Sequence, residues 1–381
     1  MTMDHYRVSD GLINSFANKA IRNVQGRYEV TLLVGNGFDI GLGLKTRYSD
    51  FLDYYLDQKR PAKTAAIDAM KNEIDRQRYA VPDSWSNAEL AFAQLDFSSF
   101  PSEDGTIGAL AECEGDFTEA LVAYLKREDE RFYIPQERQV DASQKFISQL
   151  FNTLSVAIPK LREARSLNVE VFNFNYTSTL DRLLSVNVAS LDKPSGSNLG
   201  VNIGRVHHIH GQLSGRNIVF GVDDYDQIED RYVAAASQRA GYLLKPRLDT
   251  ILQINELEAF SNRILTSDVI VLFGLSYGLS DMSIWHSLFH AMKKVPLLDL
   301  ILCEHAESPP TVKGTAMLQK LTFEAQRRFA ESMSQFFNFD VSDYANNLHV
   351  TGYDYYDSPC GQPVYSDPLG LRWFGQEFVR K

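Results

Sequence analysis

The chain has 381 residues, 44% apolar and 12% aromatic, with 49 Asp and Glu against 38 Lys and Arg, a net charge of −11. That length accommodates one large domain or two ordinary ones, and the acidic balance argues against nonspecific nucleic-acid binding, which rests on neutralised phosphates. Cys113, Cys303 and Cys360 are widely spaced and form no CxxC pair, which argues against a zinc ribbon or disulfide framework and favours a reducing, cytoplasmic setting. The apolar runs, such as VIVLFGL at 269–275, are far shorter than the ~20 residues that span a bilayer. The acidic N-terminus lacks the apolar core of a secretory signal. No membrane partner is expected.

Residues 1–27 read as a helical lead-in. YEVTLLVG (28–35) is a buried-strand run that ends in Gly35-Asn36-Gly37. RYSDFLDYYLDQ (47–58) places Tyr48, Phe51, Leu52 and Tyr55 at helical spacing. Helical periodicity then persists from about 60 to 165, in AAIDAMKNEIDRQRYA, SWSNAELAFAQLD, GDFTEALVAYLKRE and ASQKFISQLFNTLSVAI. We read residues 60–165 as a helical insertion in an α/β domain made of 1–59 and 166–381. Strand-like runs return at 169–176, 205–211, 217–222, 268–275 and 298–304, with DKPSGSNLG (192–200) as a loop. Continuous apolar strands alternating with helices predict a mostly parallel sheet of about six strands, covered on both faces.

In an open parallel sheet, ligands bind beyond the carboxyl ends of the strands. Gly35-Asn36-Gly37-Phe38-Asp39 stands at the first such end, and Asn173, Asn175, Tyr176 and Thr177 at the second. His210-Gly211 follows the third, Gly274, Ser276 and Asp281 a later one, and Glu304 the last. Each has a plainer reading. The glycine turn can serve close packing alone; it is neither GxGxxG nor a P-loop. Asn175 or Thr177 can cap a helix, as can Ser280. His207, His208 and His210 lack carboxylate or cysteine neighbours at metal-ligand spacing, so no metal is expected. Cys303 reads as an inert core thiol.

The combination of LLVGNGFDIGLGLKTRYSDFL, VFNFNYTSTLD, HIHG and LFGLSYGLSD, in that order, resembles the bacteriophage abortive-infection AbiH family. SWSNAELAF (84–92) resembles that family's tryptophan–acidic helix. The likeness spans about 30 to 290 and leaves the last ninety residues without a motif. AbiH-like proteins in turn resemble sirtuin-like NAD-binding domains, which implies a Rossmann-like α/β fold. The resemblance sets Asn175 and His210 on the catalytic asparagine and histidine. It sets Gly35, Asn36, Gly37, Phe38, Asp39, Tyr176, Gly274, Ser276 and Asp281 around the nucleotide, and Glu304, at the last strand end, is a further candidate for it. The four zinc cysteines of the deacylases are missing, and Thr177 replaces an aspartate. Hydrolysis of NAD to nicotinamide and ADP-ribose, as an abortive-infection effector, is therefore expected in place of deacylation. The alternative is a nucleotide sensor without turnover.

On that reading, backbone N–H groups at 35–38 hold the diphosphate and Asn36 offers its amide near the reacting end. Asn175 fixes a water, His210 accepts a proton, and Asp281 or Glu304 binds the adenosine ribose. The insertion, or the Tyr-rich tail at 351–370, is a candidate gate; the tail reads more simply as a packed, irregular terminus. A homo-oligomer or a second defence protein remains open as a partner.

Overall fold

The computed structural model describes residues 25–57, 61–81, 85–193, 196–215, 218–240, 242–252, 255–295, 297–305, 315–335, 337, 341–344, 347–353, 369 and 371–380. The expected lead-in before residue 25 and most of the Tyr-rich tail lie outside them.

Seven strands form one sheet: β1 (Arg27–Val34), β2 (Ser166–Asn173), β3 (Ser190–Asp192), β4 (Asn198–His208), β5 (Val269–Phe273), β6 (Asp299–His305) and β7 (Leu348–Tyr353). They lie in the order β3-β4-β2-β1-β5-β6-β7. Every pairing is parallel except the short edge pair β3–β4. Counted in chain order, the six parallel strands run 3-2-1-4-5-6 across the sheet. The chain builds outward from β1 on one side, then crosses over to build on the other. That reversal opens a crevice beyond the carboxyl ends of β1 and β5, where the flanking connections diverge.

β1 is central, and its side chains alternate between two cores. Val30, Leu32 and Val34 face a core shared with Phe146, Leu150 and Leu154 of helix α6 (Gln139–Ala157) and Phe374 of α13 (Leu371–Phe378). Leu33 faces the opposite core, with Phe260 of α10 (Glu256–Ile264), Trp285 and Leu288 of α11 (Met282–Lys294), and Phe329 of α12 (Thr315–Ser334). Both faces are thus covered, as continuous apolar strands require.

A third core sits over the strand ends. It gathers α2 (Tyr48–Tyr55), α3 (Ala65–Ala80), α4 (Ala88–Ala93) and α5 (Gly105–Asp129). Phe117 lies at its centre, with ring centroids of Phe51, Phe92 and Phe220 at 5.1, 5.0 and 5.4 Å. The helices begin where the sequence supplies caps: the Thr64 hydroxyl accepts from Ile67 N at 3.3 Å, and Asn87 Oδ1 from Leu90 N at 3.1 Å. Two segments divide differently from the 60–165 boundary. Helix α6 packs on the sheet. Conversely, Leu213, Phe220, Val222, Val233 and Leu243, which follow β4, join the cap. The expected strand at 217–222 is accordingly not one. Phe220 and Val222 point into the cap, and Val222 makes only an isolated bridge to Leu244. Strands β3 and β7 were not anticipated; β7 pairs only with β6 and is an edge strand.

Candidate functional site

A cavity of about 530 Å3 lies between the strand ends and the helical cap, within the range of small-molecule sites. Gly35, Asn36, Gly37 and Asp39 after β1 line it, as do Asn175 and Tyr176 after β2 and His210 after β4. Gly274, Ser276 and Asp281 after β5 complete the sheet side. The cap closes it with Tyr48, Arg78, Trp85, Asn87 and Glu89. One expected contributor stands elsewhere. Phe38 is fully buried, its ring edge-on to Phe146 and Phe273 in the sheet core. Glu304 lies on β6, its backbone in register with Gly352.

The glycine turn has a packing reason first. Gly35 N donates to Phe273 O at 2.8 Å, and Gly37 N to Gly274 O at 2.9 Å, so the turns after β1 and β5 lie backbone to backbone. A Cβ on Gly35 would meet Gly274 O at 2.6 Å. Gly274 has φ +62, and a Cβ there would meet Gly37 Cα at 2.6 Å. Phe38 N donates to Gly35 O at 3.0 Å. Of the four N–H groups expected to cradle a diphosphate, three are therefore committed to carbonyls; only that of Asn36 has no carbonyl partner among the described residues. The Asn36 side chain is also engaged: Nδ2 donates to Thr46 O at 2.8 Å and Oδ1 accepts from Thr46 Oγ1 at 2.5 Å. It clips the loop to α2 and does not reach toward a reacting atom.

The second strand end is not a set of helix caps. Thr177 Oγ1 and Thr179 Oγ1 each donate to the buried Asp39 carboxylate at 2.6 Å. Burial pushes Asp39 up to about 6, although both threonines pull it down. Asn175 Nδ2 donates to Gly35 O at 3.1 Å, and Asn175 N donates to Asn173 Oδ1 at 3.0 Å. This turns the Asn175 amide oxygen away from Gly35. Ser280 is not a cap either: its Oγ accepts from Asn87 Nδ2 at 3.3 Å. Helix α11 is met instead by Asp223, which accepts from Ser283 N and Oγ, each at 2.7 Å.

The three histidines go to three different places. His207 stacks on Phe172 and bonds Glu170 and Glu256. His208 Nε2 lies 3.1 Å from Asp181. His210 alone enters the cavity. Its Nε2 lies 2.9 Å from Asp281 Oδ1, and the Phe174 ring stands perpendicular to it at 5.5 Å. Asp281 is thus a partner of His210 as well as a lining residue of the cavity.

Lys245, from the start of helix α9 (Lys245–Leu252), was not anticipated. Only 4% exposed, it donates to Asp281 Oδ1 at 2.7 Å, Glu89 Oε2 at 2.9 Å and Ser280 O at 3.0 Å. Burial pulls its pKa down, but the charges of Asp281, Glu89 and Asp223 more than offset this and hold it above the usual lysine range. Burial raises Asp281, yet Lys245 and His210 hold its carboxyl well below the usual carboxylate range. Tyr176 Oη donates within the same cluster, 3.2 Å from Glu89 Oε1 and 3.1 Å from Val219 O. In the sequence Lys245 sits among apolar residues in YLLKPRL. A lysine in such a run was the available signal, because a buried lysine needs a paired charge.

These features define an α/β protein with a polar cleft at the switch point of a parallel sheet, roofed by helices that contribute charge to it. Residues 31–297 match the family of bacteriophage abortive infection AbiH, and the chain belongs to that family. Membership assigns it to antiphage abortive infection. No match was found among curated proteins. Among the described residues, no helix is long and apolar enough to cross a membrane.

Proposed function

We propose that the protein is an abortive-infection effector that hydrolyses NAD, with a Rossmann-like, sirtuin-like domain as its catalytic body. The strand order 3-2-1-4-5-6 supports the fold reading, because that order carries dinucleotides at its switch point. The observation that carries the activity is the meeting of Asn175 and His210 on one cavity, each already oriented by a second group.

In the reaction the bond from ribose C1′ to the nicotinamide nitrogen breaks. Its electron pair returns to the ring, so nicotinamide departs neutral and needs no general acid. Water adds to the anomeric carbon through an oxocarbenium-like transition state, as in glycoside cleavage. The Asn175 amide oxygen holds that water and His210 takes its proton. With three N–H groups of the glycine turn committed, the diphosphate meets Arg47 and Arg78, which also line the cavity. Arg78 already donates to Asp53 at 2.7 Å, which leaves Arg47 as the freer cation.

The test is nicotinamide release from NAD by the purified protein, with and without lysate from phage-infected cells. Asn175→Ala and His210→Ala should each lose ~10²–10⁴-fold in rate while keeping NAD affinity. A wild-type protein that binds NAD and never releases nicotinamide is a sensor, and the hydrolase reading falls. Absence of NAD binding under both conditions removes the nucleotide reading altogether.

A further inference from the structure

We propose that Lys245, anchored by Glu89 of the cap, is a positioning residue that fixes Asp281 against His210 Nε2, so that His210 works as a proton acceptor through Nδ1. The proposal deepens the catalytic reading of the same cavity and rests on it for the role, though not for the geometry.

Hydrogen-bond counting carries the argument. Lys245 Nζ has three oxygen neighbours, at 2.7, 2.9 and 3.0 Å. That equals the three protons of an ammonium, so all are committed. The nitrogen also lies 3.4 Å from His210 Nε2 but has no further proton to give it. Asp281 Oδ1, 2.9 Å from Nε2, can only accept. Two acceptors at that distance would repel, so Nε2 bears the hydrogen and donates it. Nδ1 then carries the lone pair. It has no hydrogen-bond partner among the described residues and is not an orphaned buried atom, which leaves it open to the cavity that His210 lines.

The lysine's second effect follows from charge. Asp281 facing His210 alone would favour a doubly protonated ring, which cannot accept a proton. The ammonium on the same carboxylate oxygen offsets that charge. The other groups around the ring are few. Asp249 of α9 acts on it through space, and Tyr176 stands 6.2 Å away, centroid to centroid. Glu89 and Asp223 act from behind Lys245. Glu89 belongs to the cap, so the cap supplies part of the machinery as well as the roof.

Two measurements test this on the full chain. The first is the histidine side-chain ¹⁵N–¹H correlation spectrum at neutral pH, with His210 assigned by its loss in His210→Ala. The Nε2–H form is expected; an Nδ1–H form overturns the proposal whether or not NAD is hydrolysed. The second uses Glu89→Gln/Lys245→Met, which removes one charge of each sign and keeps the net charge of the cluster. Its melting temperature establishes that it folds. With Asp281 no longer balanced, the acid limb of its pH–rate profile should move up by about one pH unit or more, the usual effect of a neighbouring charge. The His210 signal should move toward the doubly protonated form. A double variant with wild-type histidine spectra across pH refutes the positioning role. If the wild-type protein releases no nicotinamide, the hydrolysis reading fails, and the spectra alone decide this one.

Discussion

Replacing Gly274 by alanine should destabilise the protein in the absence of any nucleotide. Gly274 occupies the left-handed region at φ +62, and an added Cβ would stand 2.6 Å from Gly37 Cα and 2.9 Å from Gly37 N. These are backbone atoms and cannot rotate away. The left-handed conformation costs a non-glycine residue roughly 1–2 kcal/mol. Forcing an extra methyl into a packed site costs about 1–3 kcal/mol. Together they give roughly 3 kcal/mol. With an unfolding entropy of about 2.1 cal/mol/K per residue over 381 residues, this lowers Tm by about 4 °C. Gly35→Ala should cost less, because only the overpacking applies: its Cβ would meet Gly274 O at 2.6 Å with no left-handed strain. Thermal unfolding followed by circular dichroism, without ligand, measures both. A Gly274→Ala protein that melts with the wild type but has lost NAD affinity would show the glycines to be there for the ligand and refute the packing argument.

Three further outcomes follow from the same contacts. Lys245→Met strands Glu89 and Asp281 in a buried cluster and should cost about 3–5 kcal/mol, whereas Glu89→Gln/Lys245→Met should recover most of it; equal melting of the two variants would contradict the pairing. Burial raises Asp39 from 3.8 to about 6 in the folded state, so between those values the folded protein holds a proton that the unfolded chain has released. Stability should therefore fall as pH rises from about 4 to about 6, by about 3 kcal/mol at 1.36 kcal/mol per pH unit. Asp39→Asn should flatten that part of the Tm–pH curve, and parallel curves for the two proteins would count against it. Arg47→Ala should raise KM for NAD about tenfold or more with little change in kcat, since hydrogen bonds to charged groups contribute about 1.5–3 kcal/mol; an unchanged KM would mean that the diphosphate lies elsewhere.

Much of the sheet was legible because its strands are buried on both faces. β5 is a continuous apolar run and β1 and β6 carry long apolar stretches, while β2 alternates before its buried end, and the ends of these strands carried the polar residues that the fold brings together. The edge strands were harder to see. LHVTGY at β7 is mixed in polarity, and the three-residue β3 is too short to show a period. NIVFGV has a strand's composition, but Phe220 and Val222 are apolar because they enter the cap. Local pattern reports that a residue is buried, not what it is buried against. The same limit explains α6, whose helical period was evident while its packing partner, the sheet, was not.

The sequence by itself determined the alternation of strands and helices, the helical layer after the first strand, and the residue types at the strand ends. Periodicity and turn chemistry are local, and they survive without knowledge of the fold. The tertiary structure decided what those residues do. It paired Gly35 with Gly274 across 239 positions of chain, so that packing accounts for glycines that looked like a phosphate turn. It turned Thr177 toward Asp39 and Asn36 toward Thr46. It drew Glu89, His210, Lys245 and Asp281 into one buried cluster from four separate stretches of chain. Such a cluster leaves no spacing to read, because a buried charge is stabilised by whatever neighbour lies within a few ångströms, and that neighbour is chosen only when the strands are laid side by side.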